Sequence, residues 1–188
     1  MVMEKCGGRS PTDPFFPVFS KVGSVYGVRG GRTTGADTFH AGVDFVGQKG
    51  DPVRAFRFGQ VMYIARDSER KKKGFDGYGN AVVIFHPQIG LYSFHAHLSE
   101  VDVSEGQLVQ PGQLIGRIGN TTNGKFSGMG AHLHFEIRRP KEDGTMPFPA
   151  AYKAYNLDPI PVLASAGVQI SPSGVIQERC IIAPVLVS

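Results

Sequence analysis

An all-β fold, built mainly of antiparallel strands with a groove across one sheet, is what this 188-residue sequence predicts. Three observations carry that expectation. Turn formers are frequent, with 25 glycines and 13 prolines, and long helical periods are scarce. Runs rich in β-branched and aromatic residues recur between the turns, at Gln60–Ala65, Asn80–Phe85 and Leu91–Leu98. Two segments that carry histidine alternate apolar with polar residues, the period of a strand that buries one face.

In chain order, residues 1–16 read as an extension, 17–163 as one domain, and 164–188 as an added strand or two, packed on that domain or flexible. A hydrophobic content of 41% is enough for a proper core at this length. The first informative island is His40-Ala-Gly-Val-Asp44. In a straight strand its ends would stand about 13 Å apart at ~3.3 Å rise per residue, too far for one ion. Gly42 offers a bend or bulge that would bring them together. A helical turn would also pair them, but Gly42, Val43, Phe45 and Val46 are poor helix formers.

The second island is Phe94-His95-Ala96-His97-Leu98. Alternation puts Tyr92, Phe94, Ala96 and Leu98 on an inward face and Ser93, His95, His97 and Ser99 on an outward one. In the third, His132-Leu-His134-Phe-Glu136, the residues Leu133, Phe135 and Ile137 face a core while His132, His134 and Glu136 face away. Two strands with histidine-bearing faces make a groove. The only helix expected is a short one near Ala150–Tyr155.

These islands concentrate imidazole and carboxylate, the groups Zn²⁺ takes most readily after thiolate. Three protein ligands with one open position make the hydrolytic kind of zinc site, and histidines remain for proton chemistry. Each island alone also fits a solvated strand face or a hydrogen-bonded core histidine. Three in this order leave that plainer reading little room.

Together they resemble the lysostaphin-type, LytM-like zinc endopeptidases that cut peptidoglycan cross-bridges. The pattern is His-x-Gly-x-Asp at His40–Asp44, a His-Leu segment at His97-Leu98, and His-Leu-His-Phe-Glu at His132–Glu136. Softer landmarks are Tyr26-Gly27-Val28-Arg29, Pro52–Ala55, Tyr78-Gly79-Asn80, Val109–Gly116 and Asp158-Pro159, so the likeness covers roughly residues 17 to 163. It implies a LytM-like fold of the duplicated-hybrid-motif type, with one Zn²⁺ held by His40, Asp44 and His134 and a fourth position left for water. It implies His132 as general base, and His97 as the group that steadies the tetrahedral intermediate or protonates the leaving amine. Tyr78, Asn80 and His95 are candidate substrate contacts. His95 stands where the family usually has tyrosine, and a structural role suits it equally. The loop Asn120–Ala131 is longer than is usual in the family, and Ser68–Gly77 inserts a basic hairpin tip that is either solvated or a contact for an anionic polymer.

The family spans enzymes that cut glycine bridges and enzymes that cut D-alanyl–diaminopimelate links. A diaminopimelate link carries free carboxylates, so cationic groups at His95, Arg70–Lys73 and the long loop favour D,D-endopeptidase action. Glycyl-glycine cleavage is the alternative, and a non-catalytic wall-binding or amidase-activating module is another, although such modules typically lack a ligand and this chain lacks none. A biotinyl- or lipoyl-type carrier is suggested by Glu105–Ile115, but no modifiable lysine lies nearby at a hairpin tip.

A net charge of +4 and a pI near 9.1 suit an anionic wall polymer without singling it out. Nothing interleaves aromatic with basic residues as a nucleic-acid surface would, and no apolar run is long enough to insert in a membrane. Cys6 and Cys180 form one disulfide if the ends meet, or stay as two thiols. Met1–Ser10 has no apolar leader core, although the substrate lies in the periplasm or the outer wall. The expectation is therefore a shortened chain, a phage lysin, or a delivered effector with an immunity or delivery partner. A monomer is expected.

Overall fold

The computed structural model describes residues 21–29, 39–68, 77–147, 152–166, 168–170, 174 and 176–178. Cys6, Cys180, the N-terminal extension and the basic residues Arg70–Lys73 lie outside them. The described residues form strands β1 (Lys21–Ser24), β2 (Gly27–Val28), β3 (Phe39–His40), β4 (Val43–Val46), β5 (Pro52–Arg54), β6 (Gly59–Ala65) and β7 (Asn80–His86). There follow β8 (Leu91–Val101), β9 (Leu108–Val109), β10 (Leu114–Ile118), β11 (His132–Arg138), helix α1 (Tyr152–Tyr155), β12 (Asn156–Leu157), helix α2 (Pro159–Ser165), β13 (Val168–Ile170) and β14 (Ile176–Glu178). The fold is mostly antiparallel β, as the turn-rich composition predicts.

The main sheet runs β1-β4-β11-β8-β7-β6-β9, and β8 is long enough to serve two neighbourhoods. Its first half pairs with β7 and β11, and its second half pairs with β10, which in turn pairs with β5. One face of the sheet builds the main core from Val43, Phe45, Val82, Ile84, Leu98, Leu133, Phe135 and Ile137, all buried. The other face carries a smaller apolar cluster of Ala81, Val83, Tyr92, Phe94 and Ala96 beside a polar row, His134, Glu136 and Arg138.

Strand β11 alternates as predicted, with Leu133, Phe135 and Ile137 in the core. Strand β8 does not, and the expectation that His95 and His97 share a face is corrected. Cross-strand partners lie on the same side of a sheet. Ala96 stands opposite His134 and Phe94 opposite Glu136, so the apolar set Tyr92, Phe94 and Ala96 belongs to the polar-row face. His95 stands opposite Phe135, on the core side. At the next residue the alternation breaks. The register against β7 jumps between Asn80–Leu98 and Val82–His95, and His97 adopts φ 63°. This bulge turns His97 to the polar-row face and returns Leu98 to the core.

Helix α1 lies at the predicted place, but α2 was not anticipated. The Asp158 side chain accepts from the Ile160 amide and Pro159 opens the first turn, a pairing that marks a helix start. Helix α2 also crosses the expected boundary at 163/164, and Leu163 and Ala166 are both core residues. Beyond it β13 and β14 form a hairpin, and Gly174 accepts from the Val22 amide, which ties the C-terminal segment to β1. No helix among the described residues is long and apolar enough to cross a membrane.

Candidate active site

The bend expected at Gly42 is present. Strand β3 ends at His40 and β4 begins at Val43, and a Cβ at Gly42 would collide with the Phe135 carbonyl oxygen. Only glycine lets the chain turn that close to β11, and the turn puts His40 and Asp44 on one side. Asp44 then pairs across the sheet with His134. The donor atoms converge: Asp44 Oδ1 lies 3.0 Å from His40 Nε2 and 2.8 Å from His134 Nδ1, and those two nitrogens are 3.1 Å apart. His40, Asp44 and His134 are a group that could hold a metal ion.

A second ring of contacts supports that reading. A metal-ligating imidazole usually donates its other N–H to a carbonyl or carboxylate, which fixes the ring and its tautomer. His40 Nδ1 lies 2.8 Å from the Val25 carbonyl, and His134 Nε2 lies 2.8 Å from Glu136 Oε1. Both ligand nitrogens are thereby left facing Asp44. The donor set of two imidazoles and one carboxylate suits Zn²⁺.

Charge points the same way. Burial would raise the Asp44 carboxyl, but hydrogen bonds and charge from His134 and His40 hold it well below the usual carboxylate range. Burial would lower His134, yet Asp44 and Glu136 push it up to about 9. The group is built to hold positive charge between its donors. A divalent cation between the donors would supply that charge.

Two further histidines stand beside this group. The His97 and His132 rings are 4.7 Å apart, and His132 Nε2 is 3.8 Å from Asp44 Oδ1. Both are anchored through Nδ1, His97 to the Thr121 carbonyl at 2.9 Å and His132 to the Gly130 carbonyl at 2.8 Å. A carbonyl cannot donate, so each Nδ1 carries a hydrogen and each Nε2 is left toward the site. Burial, with the neighbouring His134 and His132, lowers His97 to about 3 and keeps it neutral.

The three candidate substrate contacts fare differently. His95 is 1% exposed, its ring packs on Phe135, and its Nδ1 faces the Val82 carbonyl at 3.4 Å. It cannot reach a groove substrate, so that role is withdrawn. The Asn80 side chain is engaged internally, accepting from the Asp67 amide and donating to the Leu98 carbonyl. Half-buried Tyr78 donates to Glu136 Oε1 at 2.6 Å and rests on the edge of His134.

Sequence reasoning missed the support of His134. Arg138, fully buried, donates to Glu136 Oε2 and to the Pro147 carbonyl, and stacks 4.0 Å over Phe94. Asn156 donates to the same Glu136 oxygen and to the Ala41 carbonyl. The alternation His134, Glu136, Arg138 was a signal for the first two partners; nothing local marked Asn156. Arg29 was likewise missed as a neighbour, its Nη2 lying 3.5 Å from Asp44 Oδ2.

Over 121 residues the chain is 36% identical to the "DD-carboxypeptidase/endopeptidase Mpg" of Neisseria meningitidis serogroup B, a match covering 64% of this chain and 25% of that one. It is 35% identical over 97 residues to the "Murein hydrolase activator NlpD" of Salmonella dublin, covering 52% of this chain and 22% of the other. The chain thus spans about a quarter of the length of these relatives. Its structure superposes on the catalytic domain of the antimicrobial peptidase lysostaphin from Staphylococcus simulans with a TM-score of 0.59 and 26% identity, covering 77% of this chain and 92% of that one. The family model for peptidase family M23 matches residues 38–147, more than half of the sequence and all of the histidine islands, and the chain belongs to that family.

Proposed function

We propose that the protein is a zinc-dependent endopeptidase that hydrolyses peptide cross-links of bacterial peptidoglycan, acting in the periplasm or the outer wall. The observation that carries this is the convergence of three residues that could hold a metal, with two further histidines beside them, each anchored through Nδ1. His40 Nε2, Asp44 Oδ1 and His134 Nδ1 would hold the zinc. Bound there, zinc would polarise the scissile carbonyl and lower the pKa of water. His132, whose Nε2 faces Asp44, takes the proton from the attacking water. His97, whose ring lies 4.7 Å from that of His132, receives that proton at Nε2 and from there steadies the developing oxyanion or protonates the leaving amine. Glu136, Arg138 and Tyr78 keep His134 aimed.

Within that activity we favour the D-alanyl–diaminopimelate bond. Two earlier grounds for it are gone or unplaced, since His95 is in the core and Arg70–Lys73 lie outside the described residues. Arg29 is a different ground: a partly exposed guanidinium beside Asp44 that suits a substrate carboxylate. The similarity to a protein named as a DD-carboxypeptidase/endopeptidase supports the same bond. The similarity to a murein hydrolase activator supports a second reading, a module that binds wall or amidase without cutting. The complete donor set favours hydrolysis.

The deciding experiment is digestion of diaminopimelate-type peptidoglycan by zinc-loaded protein, with products identified by mass. Conversion of cross-linked dimers to monomers is expected. Intact dimers with efficient cutting of pentaglycine bridges would move the specificity, and no cutting of either by protein with one zinc per chain would favour the activator reading.

A further inference from the structure

Both free-standing histidines take their orientation from one loop, Asn120–Ala131, and not from the sheet. Thr121 near its start holds His97, and Gly130 near its end holds His132. A glycine-rich surface loop is an unsteady support for a reacting group unless something fixes it. Its middle is exposed, from Gly124 to Gly128, so the fixing has to come from its ends.

The start of the loop is stitched to the residues where the chain leaves β6 and enters β7. Asp67 Oδ1 accepts from the Asn123 amide at 2.6 Å, and Asn123 Oδ1 accepts from the Gly79 amide at 2.8 Å. Thr121 Oγ1 accepts from the Asn80 amide and donates to the Leu98 carbonyl. Asn80, already tied to Asp67 and Leu98, closes the ring. The turn Thr122–Lys125 has positive φ at both central residues, 55° at Asn123 and 75° at Gly124, so Asn123 suits the backbone as well as supplying the acceptor. The entry to β7 also holds the other side of the bulge, where the Tyr78 carbonyl accepts from the His97 amide.

We propose that Asp67 and Asn123 form a clasp that positions His97, holding the Thr121 carbonyl against Nδ1 so that one tautomer in one orientation faces the metal donors. They are positioning residues, since neither touches the reacting atoms. The consequence for turnover rests on the reading of His97 as a catalytic group; the consequence for the ring itself does not.

The test compares Asp67→Ala, Asn123→Gly and Asp67→Asn in the full chain loaded with zinc. Glycine at 123 keeps the positive φ and removes only the side chain, and asparagine at 67 keeps an acceptor for the Asn123 amide. Misplacing a catalytic group by about 1 Å costs on the order of 10²-fold. The first two variants should therefore lose roughly 10- to 100-fold in kcat, with KM within about twofold and zinc content unchanged. Asp67→Asn should stay near the parent. Imidazole ¹⁵N spectra supply the readout that a merely structural role would not move. The His97 ring should be in the Nδ1–H form in the parent and in Asp67→Ala or Asn123→Gly a mixture of tautomers. An unchanged ring spectrum in both variants overturns the clasp, as does a lower melting temperature with kcat intact, or failure of Asp67→Asn to rescue. If the parent cuts no peptidoglycan but the ring spectrum changes as stated, the clasp stands and the enzymatic reading falls.

Discussion

Strands β8 and β11 lie side by side, each carrying a His-x-His, and they use it in different ways. In β11 the two histidines stay on one face with Glu136 and Arg138, because the strand alternates without interruption from 132 to 138. His134 belongs to the group that could hold a metal, and His132 stands beside it with Nε2 3.8 Å from Asp44 Oδ1. In β8 the bulge at His97 separates the pair: His95 goes into the core against Phe135, and His97 goes to the site. Identical spacing thus gives two residues of one site in one strand, and one site residue plus one core residue in the other. A regular strand transmits its pattern to the fold, whereas a bulge re-aims a side chain at a point chosen by the neighbouring chain.

The strongest way to break this comparison is to remove the histidines one at a time. His134→Ala should abolish activity and leave zinc well below one per chain, because a donor is gone. His132→Ala should keep the metal and lose turnover by roughly 10²–10⁴-fold, the usual share of an acid–base group. Zinc analysis beside kinetics separates them, and loss of metal in His132→Ala would reverse the assignment. In β8, His97→Ala should lose activity while His95→Leu keeps kcat within about twofold, since a core residue does not touch substrate.

Arg138→Met probes what β11 has and β8 lacks, a buried ion pair behind the site. It leaves the Glu136 carboxylate, held down to about 2 despite burial by Arg138 and His134, without its main partner. Breaking such a pair costs about 3–5 kcal/mol, and loss of the outer contact should weaken zinc binding by roughly 10- to 100-fold. Urea unfolding and a chelator competition measure the two effects.

The smallest expected effect concerns the core histidines. Burial lowers His95 to about 3 and His86 to about 4. The unfolded chain binds protons at these positions near pH 6.5 while the native one does not, so their contribution is intact above 6.5 and is lost as pH falls toward 4 and then 3. Each such group steepens the loss by up to about 1.4 kcal/mol per pH unit. Urea midpoints between pH 6.5 and 4 should therefore fall less steeply in His95→Leu than in the parent; equal slopes would place the His95 ring outside the core.

Much of the site was legible in the residues. The His40–Asp44 spacing required a bend, Gly42 was the one residue able to make it, and the structure bends there for want of a Cβ against β11. The faces of β11 followed from alternation alone. The ligand set came from resemblance, and the donor atoms do converge. Helix α2 was legible too, in Asp158-Pro159, and was overlooked.

The sequence by itself thus determined the β class, the bend at Gly42 and the faces of the regular strand, because these depend on local periodicity and on backbone sterics. Only the tertiary structure decided which way β8 turns its histidines, which carbonyls hold His97 and His132, and that Asn156, twenty residues beyond Glu136, would share its carboxylate. Those outcomes depend on register and on close approach between segments distant in the chain. A bulge costs no recognisable residue when its left-handed position is filled by histidine, and a backbone carbonyl leaves no mark in the sequence at all.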